Sequence, residues 1–192
     1  MNSQFTSKVF YVLGRLLKSG RYKIFYILNS IILGRFKYLG KNIKFEDITR
    51  VDQWGRNIII NDNCLIGKNC YFNATQSGSI RIGKNVLIND LCYISSCESI
   101  TIGDNTMIAE MVGIRDFDHR FSEINIPIFA QGLVASSISI EPNCWICRGV
   151  TITKGVTIGE GSIIGANSVV TKNIPAFSLA VGQPAKVIKN LK

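Results

Sequence analysis

Ile140, Ile146, Ile152, Ile158, Ile164 and Val170 follow one another at a constant spacing of six residues. That period matches neither an α-helix, at about 3.6, nor a strand alternating at two. It predicts a solenoid in which each six-residue unit supplies one short strand and one bend, its aliphatic residue pointing inward. The residue four places on is small in most units: Cys144, Val150, Val156, Ser162 and Ser168, with Ile174 the bulkier exception. The same register runs upstream through the triplets Ile60/Ile66/Phe72, Ile82/Ile88/Ile94 and Ile102/Ile108/Ile114. Three units close one triangular turn, so the pattern predicts an all-β solenoid, a β-helix of about five or more coils. Five coils stacked at ~4.8 Å give a prism roughly 24 Å tall. Ile-Gly pairs at 66–67, 82–83, 102–103, 158–159 and 164–165 put a residue without Cβ just past the buried position, where the chain bends.

The register fails in one long place. Between Ile114 and Ile138 stands RDFDHRFSEINIPIFAQGLVASS, residues 115–137, which holds His119, the only histidine of the chain. An insertion of this size is expected to leave the prism as a loop, and loops on rigid scaffolds are where sites are built. Asp116, Asp118, Arg120 and Glu123 surround the histidine, so a carboxylate there would hold its ring. One histidine cannot supply a three-histidine zinc site. No GxSxG-like elbow marks a serine nucleophile.

Charge divides the chain in two. Residues 1–44 hold nine Lys/Arg and no Asp or Glu, which leaves 22 − 9 = 13 basic against 13 acidic residues from 45 onward. The net +9 therefore belongs to the N-terminal segment, and the β-helix is neutral, which argues against a nucleic-acid-binding surface. Residues 1–44 are expected to form a basic helical segment, capping the open end of the β-helix or resting on an anionic membrane. Residues 45–192 form the β-helix domain with its C-terminal tail. The longest uncharged N-terminal run, Ile24–Gly34, is too short to span a bilayer, and no signal-peptide cleavage site is visible. Of six cysteines, Cys64, Cys70, Cys92 and Cys144 sit at the small buried position of the repeat, where a thiol serves as a small hydrophobe. Cys144 and Cys147 make one CxxC without a second pair or a nearby histidine. No metal, no disulfide and a cytoplasmic setting are expected.

The stretch WICRGVTITKGVTIGEGSIIGANSVVTKNIPAFSLAVGQPAKVIKNL (Trp145–Leu191) resembles the C-terminal coils of the hexapeptide-repeat acyltransferases. The resemblance covers roughly residues 58–190 and implies a left-handed parallel β-helix, against the usual right-handed crossover. It implies acetyl-CoA as co-substrate and His119 as general base, activating an acceptor hydroxyl for direct attack on the thioester. The family's Trp-Ile-Gly motif reads Trp145-Ile146-Cys147 here. Trp145 would lie beside the histidine. The Arg148 amide, with Cys147 beside it, would lie near the thioester carbonyl. Gly165 and Ala166 would contact the pantetheine arm, and Thr171, Lys172 and Lys186 the adenosine and its phosphates. Asn73 stands roughly where sugar acetyltransferases place an acceptor-binding asparagine, and Asp116 and Asp118 are further candidate acceptor contacts.

The chain looks closest to bacterial capsule, O-antigen and colanic-acid-type acetyltransferases. That implies O-acetylation of a sugar in surface polysaccharide or lipopolysaccharide assembly, by a homotrimer whose sites lie between subunits. N-acetylation of a nucleotide-linked amino sugar, acetylation of an antibiotic and a non-catalytic scaffold are the alternatives.

Overall fold

A computed structural model describes residues 36–47, 49–52 and 57–192. The six-residue spacing builds three flat faces. Face 1 stacks β1 (Tyr38–Leu39), β4 (Ile58–Ile60), β7 (Ile80–Ile82), β10 (Ile100–Ile102), β15 (Ile138–Ile140) and β18 (Thr157–Ile158). Face 2 stacks β2 (Lys44–Phe45), β5 (Leu65–Ile66), β8 (Leu87–Ile88), β11 (Met107–Ile108), β16 (Trp145–Ile146), β19 (Ile163–Ile164) and β21 (Ser178–Gly182). Face 3 stacks β3 (Arg50–Val51), β6 (Tyr71–Ala74), β9 (Tyr93–Ser96), β12 (Gly113–Arg115), β17 (Thr151–Ile152) and β20 (Val169–Val170). All neighbours within these faces pair in parallel and in register. The fold is the left-handed parallel β-helix that the repeat and the resemblance imply.

Every inward residue of the five expected triplets is at most 1% exposed, so each strand buries its aliphatic residue in one continuous core. The four buried cysteines do more than fill space. The thiols of Cys64, Cys70, Cys92 and Cys144 donate to the carbonyls of Gly83, Asn89, Ala109 and Gly159 at 3.1, 3.1, 3.1 and 3.3 Å, tying each coil to the next. All six cysteines are free.

A sixth full coil precedes the five. Leu39, Phe45 and Val51 keep the same spacing, and β1 and the first residue of β2 fall inside the segment expected to form the N-terminal cap. The β-helix thus starts ahead of the expected boundary at residue 45, and six coils stand roughly 29 Å tall. The remaining N-terminal helical expectation, over residues 1–35, lies outside the described residues. At the other end β22 (Ala185–Asn190) turns back antiparallel on β21 and covers the edge of face 2.

Each edge of the prism has its own construction. The edge from face 1 to face 2 turns on left-handed asparagines, and Asn42, Asn63, Asn85 and Asn105 form a ladder of side-chain amides at 2.9–3.2 Å. The edge from face 2 to face 3 turns on Asn69, Leu91, Met111, Gly149 and Asn167, with φ between 54° and 67°. The edge from face 3 back to face 1 takes the insertions, at 75–79, 97–99 and, longest, 116–137.

Candidate functional site

The insertion 116–137 leaves β12 as an antiparallel hairpin, β13 (Phe117–His119) against β14 (Leu133–Ala135), with a single 3-10 turn at Ile128–Ala130. Its neck is pinned from below and above. Asp116 turns inward and is fully buried; its carboxylate accepts from Ser96 Oγ (2.6 Å), Cys97 N (2.7 Å) and Glu98 N (3.0 Å). Ser136 N donates to Asp116 O, and Gly155 N donates to Ser136 O. Asp118 forms an ion pair with Lys154 in the coil above. Farther out, the Gln131 side chain bridges Glu123 and Ile126, bonding Glu123 N and O and Ile126 O at 2.7–3.1 Å. The Arg120 guanidinium donates to Leu133 O at 3.1 Å.

His119 ends β13 in an exposed position, and no described residue hydrogen-bonds its imidazole. This corrects the expectation that a neighbouring carboxylate holds the ring. Asp116 is spent inside the prism, Asp118 is paired with Lys154, and Glu123 takes part through its backbone. Asp116 is thus a strut rather than an acceptor contact, because both its oxygens are taken where a ligand does not reach.

The other expected residues gather on face 2 and its edge to face 3. Trp145 stands 45% exposed on face 2, between Met107 below and Ile163 above. Cys147 is half-buried, and burial pushes its thiol pKa up, away from the thiolate. The Arg148 side chain is drawn down to Glu110 (3.2 Å) and Met111 Sδ (3.6 Å). Its backbone amide is bare for a reason visible in the stacking. One edge position runs Lys68, Asp90, Glu110, Arg148, Ala166, and at Lys68 the amide donates to Asp90 Oδ1 of the coil above at 2.7 Å. Above Arg148 stands Ala166, which has no side-chain acceptor, so no described residue receives this amide. Ala166 itself is exposed. Gly165 packs so tightly that a Cβ there would lie 2.6 Å from Val181 Cγ1.

Thr171 and Lys172 follow β20 at the face 3–face 1 edge, on the side of the hairpin, whereas Lys186 stands opposite Val181 at the end of face 2. Both lysines are exposed and make no ion pair with a described residue, which fits a phosphate-bearing ligand. Asn73 lies on face 3 two coils below the hairpin, roughly 10 Å along the axis. Its Nδ2 donates to Ser95 Oγ at 3.3 Å, while its Oδ1 is buried without a partner.

Within one chain these groups do not converge. The hairpin leaves the face 3–face 1 edge, and in a triangular prism face 2 is the side opposite that edge. A six-residue side sets the separation on the order of 15 Å. Sequence reasoning missed Lys154, Glu110, Arg115 and Tyr93, all of which contact residues at or near the site. In a solenoid, partners one coil apart are about 18 residues or more apart in sequence, so only the coil register could reveal them.

The fold and the pinned histidine hairpin define a hexapeptide-type β-helix built for group transfer, and comparison with known proteins agrees. Residues 137–172 match the bacterial transferase hexapeptide (six repeats) and residues 57–89 the hexapeptide repeat of succinyl-transferase. The chain belongs to the hexapeptide-repeat acetyltransferase family. It is 34% identical to the Escherichia coli K12 protein provisionally named lipopolysaccharide biosynthesis O-acetyl transferase WbbJ, over 85% of this chain and 86% of that one. It is 35% identical to Rv3034c of Mycobacterium tuberculosis, named a probable acetyltransferase, over 86% of this chain; it spans 54% of that relative's length. Among solved structures, the hexapeptide-repeat acetyltransferase VCA0836 of Vibrio cholerae, complexed with acetyl coenzyme A, superimposes with a TM-score of 0.60 at 25% identity. That match covers 91% of this chain and 78% of the other.

Among the described residues there is no group of three or more metal-ligating side chains and no helix long and apolar enough to cross a membrane.

Proposed function

We propose that the chain transfers the acetyl group of acetyl-CoA to a sugar hydroxyl in surface polysaccharide or lipopolysaccharide assembly, with His119 as general base. The observation that carries this reading is the pinned hairpin, which presents an imidazole with both nitrogens free of described partners. His119 takes the proton of the acceptor hydroxyl as its oxygen bonds to the thioester carbonyl carbon. The bare Arg148 amide donates to the carbonyl oxygen as negative charge develops there. The C–S bond then breaks, the sulfur leaves with the electron pair, and the proton held by His119 returns to it. No acyl-enzyme is needed. Exposed Ala166 flanks the pantetheine arm beside Gly165, and Thr171, Lys172 and Lys186 take the nucleotide end. Trp145 packs beside the reacting groups, with Cys147 next to the Arg148 amide. Asn73 and Asp118 remain the acceptor-side candidates.

The working unit is a homotrimer with each site between two copies. The hairpin exposes Phe121, Ile124, Ile126, Ile128 and Phe129, while Leu91, Met107, Met111 and Trp145 are exposed on face 2 and its edge to face 3. These apolar sets lie at the same height along the prism, in coils three to five. Rotation about an axis parallel to the prism preserves height, so a closed head-to-tail ring brings one hairpin onto the next copy's edge. His119 then meets Trp145, Arg148 and Ala166 of a neighbour. A cytoplasmic location, with residues 1–44 touching the inner membrane face, suits an acceptor built there.

The test is a screen of sugar acceptors with acetyl-CoA, read by thiol release and by mass spectrometry of the product. An alkali-labile acetyl ester on a sugar is expected. An acetyl amide would instead assign N-acetylation, and absence of acetyl transfer to any sugar would overturn the reading.

A further inference from the structure

Face 3 carries a row of arginine and aromatic side chains that leads to His119. Arg50 lies over the Tyr71 ring (5.2 Å), Tyr71 stacks on Tyr93 (4.8 Å, 24°), and Arg115 lies over both Tyr93 (5.4 Å) and Phe117 (5.5 Å). Strand alternation puts Arg115, Phe117 and His119 on one side of the chain, since Asp116 between them turns inward. The cations along these strands are not equivalent. Arg50 stands 4.0 Å from Asp52, Arg148 pairs with Glu110 and Lys154 with Asp118, but Arg115 is exposed and forms no ion pair with a described residue. Two rings flank its guanidinium, whose N–H groups make no hydrogen bond to a described residue and so can grip an oxyanion bidentately. Beside it is room for a ring. A Cβ built on Gly113 meets nothing within 4 Å, although its in-register neighbours are Tyr93 and Thr151.

We infer that Arg115, with the Gly113 notch and the Tyr93 ring, forms a subsite for an oxyanion attached to the acceptor sugar. Arg115 precedes His119 by four residues, about 13 Å along an extended strand. That reach suits a carboxylate or phosphate on the reacting sugar or on the sugar next to it. The row continues away from the coils that carry Ala166, Thr171 and Lys172, so the anion belongs to the acceptor and not to CoA. This rests on the acetyltransferase reading of the same site.

Binding of three probes to the full chain in the presence of CoA, measured by isothermal titration, tests it: methyl glucuronide (carboxylate), glucose 1-phosphate (phosphate) and methyl glucoside (neutral). The wild type should bind one or both anionic probes about 10–100-fold tighter than the neutral one, and which one binds identifies the anion. Arg115→Met should abolish the preference and Arg115→Lys should keep part of it, since a point charge replaces the fork. Gly113→Ile should block all probes while the chain stays folded, because Gly113 has a strand backbone that a β-branched residue adopts readily. Equal affinity for charged and neutral probes, no anionic binding by the wild type, or a preference that survives Arg115→Met would each overturn the subsite. Acetyl-CoA binding by the wild type separates the two levels: its absence overturns the acetyltransferase reading, whereas its presence with no anion preference overturns this inference alone.

Discussion

His119 and Asp116 lie three residues apart and have opposite fates. The strand that leaves β12 keeps its alternation, so Asp116 points into the prism and His119 away from it. The buried carboxylate meets three donors and anchors the hairpin, and the imidazole is left free to act. His119→Ala is therefore expected to lower turnover by about 10²–10⁴-fold without changing the melting temperature. Steady-state thiol release alongside a thermal melt checks both halves. Tyr71 gives a second residue-scale prediction. Burial first, and then its hydrogen bond to Asp52, push its phenol up to about 12. Between an unfolded value of about 10 and that folded value, the native chain holds a proton that the unfolded chain has released. The stabilisation is complete below about pH 10 and is lost as pH rises through 12. The phenolate absorbance difference between wild type and Tyr71→Phe should titrate near pH 12, and a midpoint near 10 would contradict the assigned environment.

At the scale of elements, the turns carry information that the strands do not. The edge from face 2 to face 3 takes a left-handed residue in each of the five coils from Asn69 onward, and Asn69, Gly149 and Asn167 meet that demand at little cost. Leu91 and Met111 hold the same conformation at φ of 60° and 62° while about half exposed, a choice that costs the isolated chain on both counts. The proposed contact with a neighbouring copy would explain both. Leu91→Asn and Met111→Asn should keep or raise the melting temperature of the monomer while weakening assembly, as seen by analytical ultracentrifugation across a dilution series. Unchanged assembly would remove that edge from the interface. The coils were legible in the sequence because one inward aliphatic residue every six positions is a strict requirement of the fold. The first coil was legible too, through Leu39, Phe45 and Val51 and the Leu39-Gly40 pair, but its basic flanks joined it to the N-terminal segment. The hairpin's place was legible as a break in register. Its internal contacts were not. Asp118 meets Lys154, and Arg115 meets Tyr93, only after the chain has gone round a coil.

For the whole molecule, the consequence of a prism is that its working parts face apart. A flat-sided solenoid offers one chain little concavity, so a long coenzyme needs a second wall. The histidine hairpin and the bare-amide edge at Arg148 and Ala166 lie on different sides of the cross-section. In the proposed trimer, three copies side by side would make three clefts from them. From residue 36 onward the chain holds 13 + 3 = 16 basic against 13 acidic residues, a small net charge that does not oppose such packing. Subunit complementation tests this most directly. Chains inactivated by His119→Ala, mixed in equal amounts with chains inactivated by Ala166→Trp and allowed to exchange, should recover about a quarter of wild-type activity. In a head-to-tail ring, one cleft in four pairs an intact hairpin with an intact wall. No recovered activity, with exchange proven by differently tagged chains in one assembly, would place the whole site within a single chain and contradict the account.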